Sequence, residues 1–157
     1  MTDRSNGYEG VAAEFLARRG SARTRSKGVG VKAVREWART LPLGAAVIDL
    51  GSGPGFPITE ILVSEGLNVY AVDASPSFVE AFRRNLPGIP VACEAVEDST
   101  FFDRTFDAVI TWGLMFLLPA EERDLHFGGI ELAWANHPPA TSALTNVARN
   151  SPNGAEV

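Results

Sequence analysis

VIDLGSGPG, at residues Val47–Gly55, is a short apolar run that leads directly into a glycine-rich turn. The apolar part, Ala45–Leu50, is typical of a buried strand, and Pro57–Glu65 after the turn is typical of a helix whose first turn tolerates proline. Because glycine has no Cβ, a turn of this kind lets the backbone approach a ligand closely. The stretch therefore predicts a strand, a ligand-binding loop and a helix in succession.

An alternation of strands and helices extends outward from this stretch. It predicts an α/β domain in which a mainly parallel sheet lies between helices, with two further helices before the sheet begins. The predicted strands are Ala45–Leu50, Asn68–Val72, Val91–Glu94 and Phe106–Trp112; the predicted helices are Gly10–Leu16, Val29–Leu41, Pro57–Glu65 and Pro76–Asn85, and Pro119–Leu125 could begin another. Ligands of such sheets bind at the carboxyl ends of the strands.

The spacing of the glycines narrows the class of ligand. The loop reads G-x-G-x-G, whereas dinucleotide-binding loops read G-x-G-x-x-G, and Phe56 stands where the last of those glycines would be. We expect so large a side chain to obstruct the close helix packing that the glycine permits. The loop also lacks the lysine of a phosphate-binding P-loop.

Two carboxylates end the first two predicted strands. Asp73 can accept hydrogen bonds from two ribose hydroxyls, and Asp49 places a second negative charge beside the same pocket. This pair suits a ligand that carries an ammonium or sulfonium charge, and it suits a pyrophosphate badly. The residues therefore favour an adenosyl amino acid over a dinucleotide.

With these motifs in order, the region from about Ala45 to Leu118 resembles a class I S-adenosylmethionine-dependent methyltransferase. The resemblance is carried by four segments, and it implies a Rossmann-like three-layer αβα fold with S-adenosylmethionine as cofactor. The segments are Val47–Gly55, Val69–Ser75, Ala95–Asp98 with Phe101–Asp107, and Phe106–Ile110. Many relatives carry an acid where this sequence has Ala95.

The resemblance also implies roles for individual residues. Asp49 would orient the amino group of the cofactor, Asp73 would hold the ribose, and Thr111 would border the methyl group together with Trp112. The implied cofactor-binding set is Asp49, Gly51, Ser52, Gly53, Asp73, Ala74, Val96, Glu97 and Thr111, in which Gly51–Gly53 pass under the methionine part and Val96 and Glu97 lie near the adenine. No catalytic side chain is identified, and no metal site is expected.

The family pattern fades after about Glu122, where relatives continue with further strands. We therefore expect three regions: a helical lid at residues 1–44, the cofactor-binding core at residues 45–127 and an irregular C-terminal tail at residues 128–157, with the core truncated on its C-terminal side. A fourth strand left at the edge of the sheet would need a cover, and the tail or a second copy of the chain in a homodimer could supply it.

The composition is typical of a globular protein, and the single cysteine leads us to expect a reducing, cytoplasmic environment. The 157 residues suit one domain, Cys93 is the single cysteine, and no apolar run is long enough to suggest a membrane partner. Net charge is −5, with the basic residues concentrated in residues 1–40, so that the N-terminal segment is expected to meet an anion or to cover the acidic body. An acidic domain does not favour nucleic acid as a partner.

The leading hypothesis is a methyltransferase that acts on a small-molecule acceptor by in-line displacement. An inactive S-adenosylmethionine-binding regulatory or partner subunit is the alternative from another class, favoured by the missing C-terminal strands. A nicotinamide-dependent oxidoreductase is disfavoured by Phe56 and by the loop spacing. A nucleic-acid methyltransferase would have to use the basic residues 18–39.

Overall fold

The computed structural model describes residues 3–5, 7–19 and 31–111, together with the backbone of three short strands at residues 126–127, 130–131 and 144–146. In this part of the chain, four α-helices and the first four strands follow one another in the predicted order. The helices are α1 (Tyr8–Arg19), α2 (Val31–Ala38), α3 (Ile58–Ser64) and α4 (Pro76–Asn85); the strands are β1 (Ala46–Leu50), β2 (Asn68–Asp73), β3 (Val91–Cys93), β4 (Ala108–Thr111), β5 (His126–Phe127), β6 (Ile130–Glu131) and β7 (Leu144–Asn146).

The central sheet has the strand order β3-β2-β1-β4-β7. Strands β1 to β4 are parallel to their neighbours, and β7 runs antiparallel to β4. In register, Leu50 lies opposite Val72 on one side and opposite Thr111 on the other, so β1, β2 and β4 end at one edge. Strand order reverses between β1 and β4, which is where ligands of open α/β sheets bind. The predicted Rossmann-like α/β fold is confirmed.

One face of the sheet is covered by helices. Right-handed crossovers place α3 and α4 on the same face, and α2 joins them through the apolar stripe that the sequence predicted. Val34 and Ala38 of α2 are fully buried against Val47 and Leu62, with Val31, Trp37 and Leu41 packed at the margin. Burial of this stripe, rather than intrinsic helix propensity, stabilises so short a helix.

The opposite face is covered by the connection between β3 and β4. Phe101 and Phe106 from this connection pack on a layer of strand residues that includes Ile48, Leu50 and Val109. Two short 3-10 turns, Val96–Asp98 and Phe101–Asp103, stand where longer crossovers would carry a helix. The second turn has positive φ at three consecutive residues, a conformation that costs non-glycine residues energy and needs the packing of the aromatic rings to hold it.

Cys93, the single cysteine, is exposed on the edge strand β3. The predicted start of β4 was wrong. Strand β4 begins at Ala108, two residues later than predicted, because Phe106 turns into the aromatic cluster and Asp107 binds the start of β1 through its carboxylate and its backbone N–H.

Strand β7 pairs with the edge of β4, the position that the sequence left in need of a cover. The predicted helix at Pro119–Leu125 and most of the predicted tail lie outside the described residues, as does Trp112. Within the described part of the chain, no helix is long and apolar enough to cross a membrane.

Candidate functional site at the carboxyl edge of the sheet

The glycine loop after β1 takes a backbone path that other residues would resist. Gly51, Gly53 and Gly55 have φ values of 72°, 57° and 86°, in the left-handed region that glycine enters without steric cost. A Cβ on Gly55 would lie 2.7 Å from Cδ1 of Leu86, whereas one on Gly53 would meet nothing within 4 Å. Gly55 therefore allows close packing against α4, while Gly53 faces open space in which a ligand could lie.

Neighbouring groups hold the loop in this shape. The backbone N–H of Gly51 donates to the carbonyl of Val72 at 2.8 Å, which ties the start of the loop to β2. At the other end of the loop, Nδ2 of Asn85 donates to the carbonyl of Pro54 at 2.9 Å. One partner belongs to strand β2 and the other to helix α4, so hydrogen bonds with regular elements of the fold hold the backbone of the loop.

Asp49 is a buried carboxylic acid beneath the loop. It is 1% exposed, and its Oδ2 accepts a hydrogen bond from Oγ1 of the fully buried Thr59 at 2.6 Å. Burial, opposed by the hydrogen bond from the Thr59 hydroxyl and reinforced by the negative charge of nearby Asp73, raises the pKa of Asp49 to about 7. Its protonation near neutral pH is therefore sensitive to any charge placed beside it.

Asp73, at the end of β2, faces the glycine loop. Its Oδ2 accepts from the backbone N–H of Gly53 at 2.7 Å, and its Oδ1 accepts from the backbone N–H of Ser75 at 2.9 Å. Burial raises the pKa of Asp73, and these two hydrogen bonds oppose the shift. A carboxylate offers about four acceptor positions, so two remain for hydroxyl groups of a ligand.

Two hydroxyls at this edge are buried without a hydrogen-bond partner among the described residues: Oγ of Ser52 and Oγ1 of Thr111. Ser52 lies in the glycine loop, and Thr111, which is fully buried, ends β4 beside the last residue of β1. Leaving a buried hydroxyl unpaired costs about 1–3 kcal/mol. A polar ligand bound at this edge could supply the missing hydrogen-bond partners of these hydroxyls.

The remaining predicted residues lie on the β3 side of the same edge. Ala74 follows Asp73 directly and is half-buried. In the 3-10 turn after β3, Val96 is buried and Glu97 is exposed, so the two differ in what they can offer a ligand: backbone and apolar surface from Val96, a solvated carboxylate from Glu97. All nine predicted residues therefore lie on loops or strand ends at one edge of the sheet.

Sequence reasoning missed three polar groups near these residues. Thr59 hydrogen-bonds Asp49, Ser77 opens α4, and Glu9 reaches α4 from the N-terminal helix. Thr59 did carry a signal, because it is a polar residue among the apolar side chains of α3. Glu9 carried none, since its partners are 66 and 68 residues away in the chain.

Among the described residues, no three side chains of the metal-binding types come together. The two histidines of the chain, His126 and His137, have side chains outside the described part, so that statement does not cover them.

Comparison with solved structures supports the fold. The magnesium protoporphyrin IX methyltransferase of Synechocystis with bound SAM superposes with a TM-score of 0.63 at 19% identity, over 79% of this chain and 68% of that one. The sugar N-methyltransferase KedS8 from a Streptoalloteichus species superposes with a TM-score of 0.52 at 26% identity, over 66% of this chain and 40% of that one.

A match to a family model identifies the family, and curated relatives agree with it. Uncharacterized methyltransferases of Mycobacterium tuberculosis and Mycobacterium bovis are 38% identical over 71 residues, which is 45% of this chain. The match spans 29% of the length of those relatives. A family described as "Methyltransferase domain" matches residues 47–131, which contain the glycine loop, both carboxylates and strands β1 to β4 except for Ala46 at the start of β1. The chain therefore belongs to the methyltransferase domain family.

Proposed function

We propose that this chain binds S-adenosylmethionine at the carboxyl edge of its sheet and transfers the methyl group to a small-molecule acceptor. The observation that carries the proposal is the placement of two carboxylates, Asp49 and Asp73, around a glycine loop that is open at Gly53. A dinucleotide would bring a pyrophosphate to this negative site, whereas an adenosyl amino acid brings an ammonium group and a sulfonium group.

The residues present fit this cofactor. Asp73 retains acceptor positions for the two ribose hydroxyls after its bonds to Gly53 and Ser75. Asp49 gains an opposite charge when an ammonium group lies beside it, and that charge favours its ionised form. Val96 would offer buried surface and backbone to the adenine, Ala74 directly follows the Asp73 assigned to the ribose, and Glu97 would offer an exposed carboxylate.

S-Adenosylmethionine, when bound, supplies a methyl group that is already activated by the sulfonium. The chain then has to bind and orient, which in favourable systems lowers a barrier by about 7–11 kcal/mol. Ser52 and Thr111 offer unpaired hydroxyls at the point where β1 and β4 end, where they can position the cofactor or the acceptor. The leaving group, S-adenosylhomocysteine, departs as a neutral thioether, so the described residues need no general acid for this chemistry.

A small-molecule acceptor is supported by charge and by one neighbour. The chain carries a net charge of −5, and an acidic surface repels the phosphates of nucleic acids. KedS8, which shares the fold at 26% identity, is a sugar N-methyltransferase, and a sugar is a small-molecule acceptor.

A transfer assay tests the proposal. The purified chain is incubated with S-adenosylmethionine labelled on the methyl group, together with a deproteinised small-molecule extract, with RNA, or with DNA. We expect label in the small-molecule fraction and production of S-adenosylhomocysteine only when that fraction is present. Binding of the cofactor with no transfer to any fraction would contradict the proposed activity, and transfer to RNA or DNA would contradict the proposed acceptor.

A further inference from the structure

The carboxylate of Glu9, in the N-terminal helix α1, is bound to the first turn of α4. It accepts hydrogen bonds from the hydroxyl of Ser75, from the backbone N–H of Ser77 at 3.2 Å and from the hydroxyl of Ser77 at 2.5 Å. A negative charge is favourable at the N-terminus of a helix, where backbone N–H groups lack partners. Glu9 thus fills a position that would otherwise be left to solvent.

Aromatic packing holds α1 in place for this contact. The rings of Tyr8 and Phe15 lie 6.2 Å and 5.2 Å from the ring of Phe78 in α4. The hydrogen bonds from Ser75 and Ser77 lower the pKa of Glu9, so the carboxylate is ionised at neutral pH. The contact between the two helices therefore combines apolar packing with a charged anchor.

Ser75 connects Glu9 to Asp73. Its side chain donates to Glu9 and accepts from the backbone N–H of Phe78 at 3.3 Å, and its backbone N–H donates to Oδ1 of Asp73 at 2.9 Å. Ser75 is fully buried, so no water replaces any of these partners. Ser75 therefore links the Glu9 carboxylate to one of the two hydrogen bonds that orient Asp73.

We propose that Glu9 is a positioning residue for the Asp73 carboxylate and that it sets how strongly the site recognises ribose hydroxyls. This inference rests on the proposed function, because it assigns Asp73 to the ribose. Glu9 does not touch the ligand in this account; it acts through Ser75. Loss of its charge would let the Ser75 turn relax and would misalign the acceptor positions of Asp73.

The test measures recognition of the hydroxyls separately from general affinity. Dissociation constants are determined by calorimetry for S-adenosylhomocysteine and for its 2′,3′-dideoxy analogue, with the full chain and with Glu9→Gln. For the unmodified chain we expect the analogue to bind at least about tenfold more weakly, since hydrogen bonds to a charged acceptor are lost. In Glu9→Gln we expect this ratio to fall at least about threefold.

Two further variants make the result specific. Ser77→Ala removes one of the groups that hold Glu9 without changing α1, and we expect it to lower the ratio as well. Glu14→Gln, on the same helix and paired with the exposed Arg18, is the matched control and should leave the ratio unchanged.

The outcomes are distinguishable. A ratio unchanged in both Glu9→Gln and Ser77→Ala, while the unmodified chain discriminates, would overturn the role of Glu9 and leave the proposed function intact. Equal weakening for both ligands would mean that Glu9 only stabilises the fold, which also overturns the inference. Failure of the folded unmodified chain to bind S-adenosylhomocysteine would overturn the proposed function and the inference together.

Discussion

At the scale of the residue, Asp49 and Asp73 lie at the same edge of the sheet but differ in their hydrogen-bond donors. Asp49 is fully buried with a single hydroxyl donor from Thr59, whereas Asp73 is held by two backbone N–H groups. Burial raises the pKa of both, and it raises that of Asp49 to about 7. Asp49 is therefore the group at this edge whose charge is most easily changed near neutral pH.

The first prediction concerns stability and pH. The pKa of Asp49 is about 7 in the folded chain against 3.8 as its ordinary value, so the folded state binds more protons than the unfolded state between these pH values. The free energy of unfolding should therefore fall as pH rises through this window, by about 1–4 kcal/mol. Urea unfolding of the unmodified chain and of Asp49→Asn at pH 5 and pH 8 measures it.

In Asp49→Asn the part of this fall that Asp49 contributes should be absent, while the part that Asp73 contributes remains, and the variant should be the more stable of the two at pH 8. Thr59→Val provides a second control: its hydroxyl lowers the pKa of Asp49, so its removal should move the fall to higher pH. Equal pH dependence in the unmodified chain and in Asp49→Asn would assign the effect to other groups.

The second prediction concerns Asp73. Asp73→Ala should weaken binding of S-adenosylmethionine about tenfold to hundredfold, because two hydrogen bonds from the ribose to a charged acceptor are lost. Calorimetric titration measures the affinity, and circular dichroism checks that the variant is folded. Glu80→Gln, on the exposed side of α4, serves as the control. Unchanged affinity in a folded Asp73→Ala chain would remove Asp73 from the ribose role.

At the scale of the element, the boundaries that sequence predicted best are those with local chemical causes. Helix α4 begins and ends where predicted, because Ser75 caps it, Pro76 suits its first position and Pro87 follows its end. Strand β4 was predicted too long, because the burial of Phe106 is decided by rings far away in the chain. The bond between Glu9 and Ser75 was invisible for the same reason: it joins elements that only the tertiary fold brings together.

The third prediction compares the stability effect of alanine at two glycines that lie in turns, Gly55 and Gly88. Gly55 and Gly88 both have positive φ, 86° and 90°, so alanine is strained at either position. Only at Gly55 does the new Cβ meet another group, 2.7 Å from Leu86 and 3.0 Å from Phe82. Gly55→Ala should therefore destabilise the chain by about 1–3 kcal/mol more than Gly88→Ala.

Urea unfolding of both variants measures this difference. Equal losses would mean that α4 moves aside easily and that Gly55 is required for its backbone conformation alone.

At the scale of the whole molecule, opposite charges join the basic N-terminal region to the acidic remainder. Arg35 and Arg39 of the α2 region both bind Glu65 at the end of α3, and Arg4 pairs with Asp98 beyond β3. We expected the basic N-terminal segment to meet an anion or to cover the acidic body, and these ion pairs join it to acidic residues of that body. The ion pairs of Arg18 and Lys32, by contrast, lie within their own helices and are largely exposed.

The fourth prediction concerns this connection. Glu65 is 12% exposed and binds two guanidinium groups that remain accessible to water, so Glu65→Ala should destabilise the chain more than the loss of a single exposed ion pair. Asp98→Ala, at an ion pair that is more than half exposed, should cost less than about 1 kcal/mol. Thermal unfolding compares the two variants, and a larger loss for Asp98→Ala would contradict this ranking.

The central claim is that the carboxyl edge of this sheet binds an adenosyl amino acid and does not bind a dinucleotide. Calorimetric titration of the folded chain with S-adenosylmethionine, and in parallel with NAD⁺, tests it most directly. We expect saturable binding of S-adenosylmethionine at one site for each chain and no binding of NAD⁺. Binding of NAD⁺, or no binding of S-adenosylmethionine by a folded chain, would contradict it.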